Sequence, residues 1–172
     1  LIRRQRQMCI RDSDTTIEMA DVNLEALGKA LSCWNIRLAP DAVAVAVLDH
    51  GAAPPGESDR LFRFRHLEHL LQENNSLESF IFTPSELPYY LTRMQAVVRS
   101  LRGKIPIVLM DTGASAVLGA SLDRTVSTHV HRLAVNLGNS HTLAFHLSGL
   151  TVLGLFEHHT SLLSLPRLES LM

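Results

Sequence analysis

The sequence predicts a mixed α/β protein. Two short, nearly continuous apolar runs, 42–48 and 105–110, each end in a small polar outlet, and segments with helical spacing separate them. Beyond residue 130 the pattern changes to three apolar runs joined by tight turns, which reads as an antiparallel meander.

In chain order, residues 14–34 read as a helix, with Ile17, Asp21/Val22, Leu24, Leu27 and Leu31 near a 3.6-residue period behind possible caps at Asp14 or Thr15. The run A-V-A-V-A-V-L, 42–48, suits a strand covered on both faces, and its outlet is Asp49-His50-Gly51. A loop of Pro, Gly and Ser follows, then a helix near 64–74 with Leu67, Leu70 and Leu71 on one side. Loop and strand signals mix through 76–88. Helix returns at 89–101, with Pro88 close to its start and Gly103 just past its end. The second buried strand runs from Ile105 to Met110, with Pro106 at its first position, and leads into Asp111-Thr112-Gly113. Residues 114–122 form a small-residue helix whose Ala114, Ala116, Gly119 and Ala120 would allow close backbone approach. The meander strands are expected at 131–137, 140–147 and 150–156, with Ser148-Gly149 as a tight hairpin signal.

The chain has 172 residues, 46% of them hydrophobic and 19% charged, enough to bury a core. A net charge of −1 supplies no basic field, which argues against a nucleic-acid partner. No apolar run is long enough for a membrane span, and Cys9 and Cys33 match no metal spacing and suit a reducing compartment, so the expectation is cytoplasmic. The opening L-I-R-R-Q-R-Q-M-C-I-R-D-S resembles translated adaptor sequence, and residues 1–13 are set aside as a non-native leader. A basic arm for an anionic surface is the other reading. The last residues stop inside an apparent helix, which suggests a piece of a longer protein.

Ligands of α/β folds gather beyond strand ends, so the three outlets are the default site. In the loop of V-N-L-G-N-S-H-T, Gly138 would let backbone approach a bound group, while Asn139, Ser140, His141 and Thr142 surround it with polar groups, a nest suited to phosphate. An ordinary turn rich in Gly, Asn and Ser fits the same residues. Asp49 could orient a water or accept a proton, with His50 beside it as a second titratable group, or could simply cap a turn. Asp111, with Thr112 and Gly113, carries the same ambiguity. Glu157-His158-His159 invites a metal reading, but adjacent histidines on a strand point to opposite faces. His66 and His69 could share a helix face; with Arg63 and Arg65 nearby, they are expected to be solvated.

The stretch D-T-G-A-S-A-V-L-G-A, 111–120, followed by the hairpin around Gly138, resembles the middle of the actin-like ATPase superfamily of sugar kinases, heat-shock chaperones and actin. A closer resemblance is to a family within it whose members carry a pyruvate formate-lyase activating enzyme label. It rests on L-D-H-G-A-A-P-P-G-E-S-D-R-L-F-R-F (48–64), L-T-R-M (91–94), the 111–120 stretch, V-N-L-G-N-S-H-T-L-A-F (135–145) and F-E-H-H-T (156–160). The resemblance implies a partial ribonuclease-H-like (actin-like ATPase) fold: 14–127 as the latter part of a first domain, and 128–172 as the start of a second, opened by the meander. The helix after Gly113 would be the connecting helix, and the loop at 138–142 the second phosphate hairpin. ATP and Mg2+ are the implied cofactors, with a first phosphate hairpin before residue 14 and the adenosine part after Met172. Asn136 stands where the superfamily has an aspartate that coordinates metal-bound water. Radical activating enzymes need C-x-x-x-C-x-x-C, a run this chain does not contain, so no iron-sulfur cluster is expected.

Three functions follow as expectations. The first is ATP-dependent phosphotransfer or hydrolysis by the intact protein, with a nucleotide as its small-molecule partner and the fragment inactive. The second is a non-catalytic binding or assembly module with a drifted phosphate loop. The third is a metal-dependent hydrolase using Asp49, His50 and Glu157-His158-His159. Under the first, Gly138→Val should abolish binding and Glu157→Gln should matter less. Half of a split sheet would also leave open edges and an uncovered apolar face, hence poor stability in isolation.

Overall fold

A computed structural model describes residues 20–171 apart from 102 and 104, so residues 1–13 and the start expected for the first helix lie outside the described residues. Among the described residues the fold is α/β with two three-stranded sheets.

Helix α1 spans Leu24–Ser32 and begins later than its periodicity suggests, because Asn23 takes the cap and its side chain accepts from the Ala26 N–H at 2.9 Å. In the first sheet, β1 (Val43–Ala46) lies parallel to β3 (Ile107–Met110), and the short β2 (Ile81–Phe82) lies antiparallel on the other side of β3. Pro106 precedes β3 instead of opening it, and its carbonyl accepts from Val43 N–H. The expectation of two covered faces is corrected: Val43 and Val45 pack on the core, while Ala44, Ala46 and Val108 face outward. Two-residue alternation won over the apolar run.

Helix α2 (Asp59–Glu73) starts five residues before the expected position. Its buried stripe is Arg63, His66, Leu67 and Leu70, the i, i+3, i+4, i+7 spacing of a core-facing helix. Two of those four are polar, which hid the first turn. Helix α3 (Thr92–Leu101) buries Met94, Val97 and Leu101, and starts at Thr92 instead of Tyr89. Helix α4 (Thr112–Ser121) is capped by Asp111, whose Oδ1 accepts from Gly113 N–H at 2.9 Å. Its close approach is narrower than the small-residue pattern suggests. A Cβ on Gly113 would come within 2.5 Å of Leu143 Cδ2, and Ala114 is buried, but Ala116, Gly119 and Ala120 face solvent.

The second sheet is the expected meander: β4 (His131–Leu137), β5 (His141–Ser148) and β6 (Thr151–His159), antiparallel in that order. Gly149, at φ 62°, makes the turn into β6. Helix α5 (Leu165–Leu171) follows. Leu133, Val135 and Leu137 point outward from β4. One core cluster draws on both sheets, from Leu109 and Val117 to Phe145, Leu147 and Val152. Main-chain bonds add to this link, from Leu77 N–H to Leu150 C=O and from Val152 N–H to Asn75 C=O. No helix among the described residues is long and apolar enough to cross a membrane.

Candidate functional site

The second and third outlets meet, and the first touches them only through Leu48, the residue ahead of Asp49-His50-Gly51. Leu48 after β1, Asp111-Thr112-Gly113 after β3, and Gly138 to His141 between β4 and β5 border one pocket of about 250 Å³, closed by Asn136, Leu143, Arg63 and Glu157. Gly113 brings α4 against Leu143 of β5, and that contact holds the second and third outlets together.

Arg63 binds the pocket walls to each other. From α2 its Nε donates to Glu157 Oε2 at 2.7 Å, and its Nη1 reaches both Asp111 Oδ2 and the Asp49 carbonyl at 3.3 Å. All three charged side chains are almost fully buried. Burial acts to lower the Arg63 pKa, but the carboxylates of Asp111 and Glu157 outweigh it and hold it above its ordinary value. One guanidinium faces two carboxylates, so the cluster carries one excess negative charge.

Asp49 is not presented to a ligand. Its Oδ2 accepts from Arg93 N–H at 2.6 Å and Met94 N–H at 2.9 Å, and its Oδ1 from Gly51 N–H at 3.0 Å. The carboxylate is 3% exposed and caps the first turn of α3, which explains why that helix starts at Thr92. Both oxygens are occupied by main chain, which is the capping reading of this residue. His50 lies beside the pocket, on an adjoining cavity that shares Arg63, His141 and Glu157 with it. Its ring lies edge-on to His141 with centroids 4.7 Å apart, and its Nε2 is buried without a hydrogen-bond partner. Burial first, then the charge of Arg63, lowers its pKa.

The hairpin loop is strapped down from β6. Thr160 donates its N–H to Ser140 C=O at 3.0 Å and its hydroxyl to Gly138 C=O at 2.7 Å. Thr142, expected to face the ligand, is wholly buried, and its hydroxyl pairs with that of Thr160 at 3.1 Å. Gly138 is required by the hairpin itself, since a Cβ there would sit 2.8 Å from His141 C=O. Gly138→Val would therefore distort the loop whether or not anything binds. Asn139 and Ser140 are exposed at the pocket rim, and His141 Nδ1 meets Glu157 Oε1 at 2.9 Å.

The remaining histidines sort differently from their sequence reading. His66 is buried, not solvated; it bonds the Tyr90 hydroxyl at 3.0 Å, and burial, then Arg63, lowers its pKa to about 4. His69 is exposed beside Glu73. His158 Nδ1 lies 3.0 Å from the His159 carbonyl and His159 Nδ1 lies 2.8 Å from the Ser161 hydroxyl, so the adjacent pair does not converge on one point. Among the described residues, the set that does converge is His50, His141 and Glu157, with one ligand atom from each within 4.8 Å of the others. Sequence reasoning missed Arg63 altogether and ranked Glu157 too low.

A search of curated proteins and a search of solved structures each gave no match to this chain. One family model matches residues 4–172, beginning inside the segment read as a leader. With that match over nearly its whole length, the chain belongs to the family described as "Putative pyruvate format-lyase activating enzyme (DUF1786)".

Proposed function

We propose that the pocket at the three outlets binds the phosphate end of a magnesium-complexed nucleotide, and that the intact protein is a phosphotransferase or ATPase of the actin-like ATPase superfamily, with the ribonuclease-H-like fold that implies. The convergence of 48, 111–113 and 138–141 on one pocket is the observation that supports this reading most. Its volume is below the ~300–1,000 Å³ of pockets that enclose a drug-sized ligand, so it suits phosphates and not a whole nucleotide. The excess negative charge around Arg63 would repel a bare polyphosphate and favour one carrying a divalent cation. Asn139, Ser140 and Thr112 would supply neutral donors, while Asp111, whose Oδ1 is held by Gly113 N–H and Oδ2 by Arg63, would act through its charge.

The given sequence holds no C-x-x-x-C-x-x-C run of the kind that radical activating enzymes need. The sequence has two cysteines, and Cys33, the one among the described residues, is exposed in the turn after α1 and borders no part of the pocket.

Calorimetric titration with ATP, with and without Mg2+, tests the reading. We expect binding that needs Mg2+ and weakens at least tenfold in Ser140→Glu, which puts a like charge at the exposed rim. The intact protein, folded and giving no heat with Mg-ATP or Mg-ADP, would overturn it. Asn136, on the pocket wall in place of the superfamily's aspartate, favours a second reading in which nucleotide is bound but not turned over. Binding without phosphate release would select that one.

A further inference from the structure

We propose that His50, His141 and Glu157 form a binding site for a divalent transition-metal ion, with zinc the best match to two imidazoles and a carboxylate. The three ligands come from distant parts of the chain: His50 from the outlet of β1, His141 from the start of β5, Glu157 from β6. Their ligand atoms already lie within 4.8 Å of one another. Tetrahedral zinc with bonds of about 2.0–2.1 Å spaces its ligand atoms by about 3.4 Å, so small side-chain rotations complete the set.

Two further features fit an ion. His50 Nε2 is buried with no partner, a cost that coordination removes. Arg63, Asp111 and Glu157 together carry one excess negative charge beside the imidazoles, so a dication entering there is attracted and not opposed. The ion would replace the contact between His141 Nδ1 and Glu157 Oε1, while Glu157 Oε2 stays on Arg63 Nε at 2.7 Å. Arg63 thus positions the ligating carboxylate from behind, as partners of metal ligands commonly do. Three protein ligands leave a coordination position open. A cavity of about 180 Å³, which Arg60, Phe64 and His158 help to line, borders all three ligands and gives water access to it. The ion requires no nucleotide in the neighbouring pocket, so either site could exist without the other.

The full chain, tag-free and stripped with EDTA, would be titrated with Co2+ and then Zn2+, followed by calorimetry and by visible cobalt absorption. We expect one ion per chain, an intense low-symmetry cobalt spectrum, and displacement by zinc. His50→Ala, His141→Ala and Glu157→Gln should each weaken binding at least 100-fold, and His69→Ala, on the exposed face of α2, should leave it unchanged. His50→Ala removes a ring nitrogen that makes no hydrogen bond, so circular dichroism should show it folded, and lost binding there is not lost structure. A folded chain that takes up no ion, or one whose uptake survives both His50→Ala and His141→Ala, would overturn the site.

Discussion

Replacing Arg63 by methionine keeps much of its volume and removes its charge. The substitution strands the carboxylates of Asp111 and Glu157, which are buried and lose their shared cation, and frees the Asp49 carbonyl. Breaking a buried ion pair from one side costs about 3–5 kcal/mol, which in a chain of this size lowers Tm by about 6–20 °C. Glu157→Gln alone leaves Arg63 its pair with Asp111 and should cost only about 1–3 kcal/mol. The double variant Arg63→Met/Glu157→Gln strands one carboxylate instead of two, so its loss should fall short of the sum by at least about 1 kcal/mol. Urea unfolding followed by circular dichroism measures all three; Trp34, 70% exposed, is poorly placed to report by fluorescence. Additive losses, within about 0.5 kcal/mol, would refute the idea that the three groups act as one unit.

Acid should destabilise the fold through His66. Its folded pKa of about 4 lies below the unfolded value of about 6.5, so the contribution of the neutral ring is complete above pH 6.5 and is lost as pH falls toward 4, roughly 3 kcal/mol in all; His66→Gln should flatten that part of a stability-against-pH curve. Asp49→Ala should cost about 1–3 kcal/mol by uncapping α3 while nucleotide affinity of the folded variant, measured by calorimetry, stays unchanged. Gly113→Ala should cost about 1–3 kcal/mol in urea unfolding, because its Cβ meets the buried Leu143, and Leu143→Ala in the same chain should recover part of the clash. Asn136→Asp should raise phosphate release from bound ATP in a coupled assay; unchanged release would detach that position from water coordination.

The strands and their outlets were legible because apolar runs and turn residues are local signals. The meander appears at its expected place, with β4 at the expected bounds. What failed was non-local. The burial of Arg63 depends on partners 48 and 94 positions away, and nothing within its own helix marks it as anything but one of several arginines on a solvated face. The same blindness gave Asp49 a chemical role: its carboxylate answers the open N–H groups of a helix 44 residues on, and sequence spacing cannot show that helix end arriving. His50 and His141 were both named, but neither their meeting nor their union with Glu157 could be read from order along the chain.

The strap from Thr160 has a thermodynamic consequence for the loop it holds. Fixing one residue's backbone costs about 1–2 kcal/mol of entropy, and in a loose turn that sum would fall due when a ligand arrives. Here Gly138 and Ser140 are already tied through their carbonyls to the end of β6, so the ordering is met at folding. A ligand would find a surface in its final shape, with association limited by encounter and desolvation instead of by loop closure.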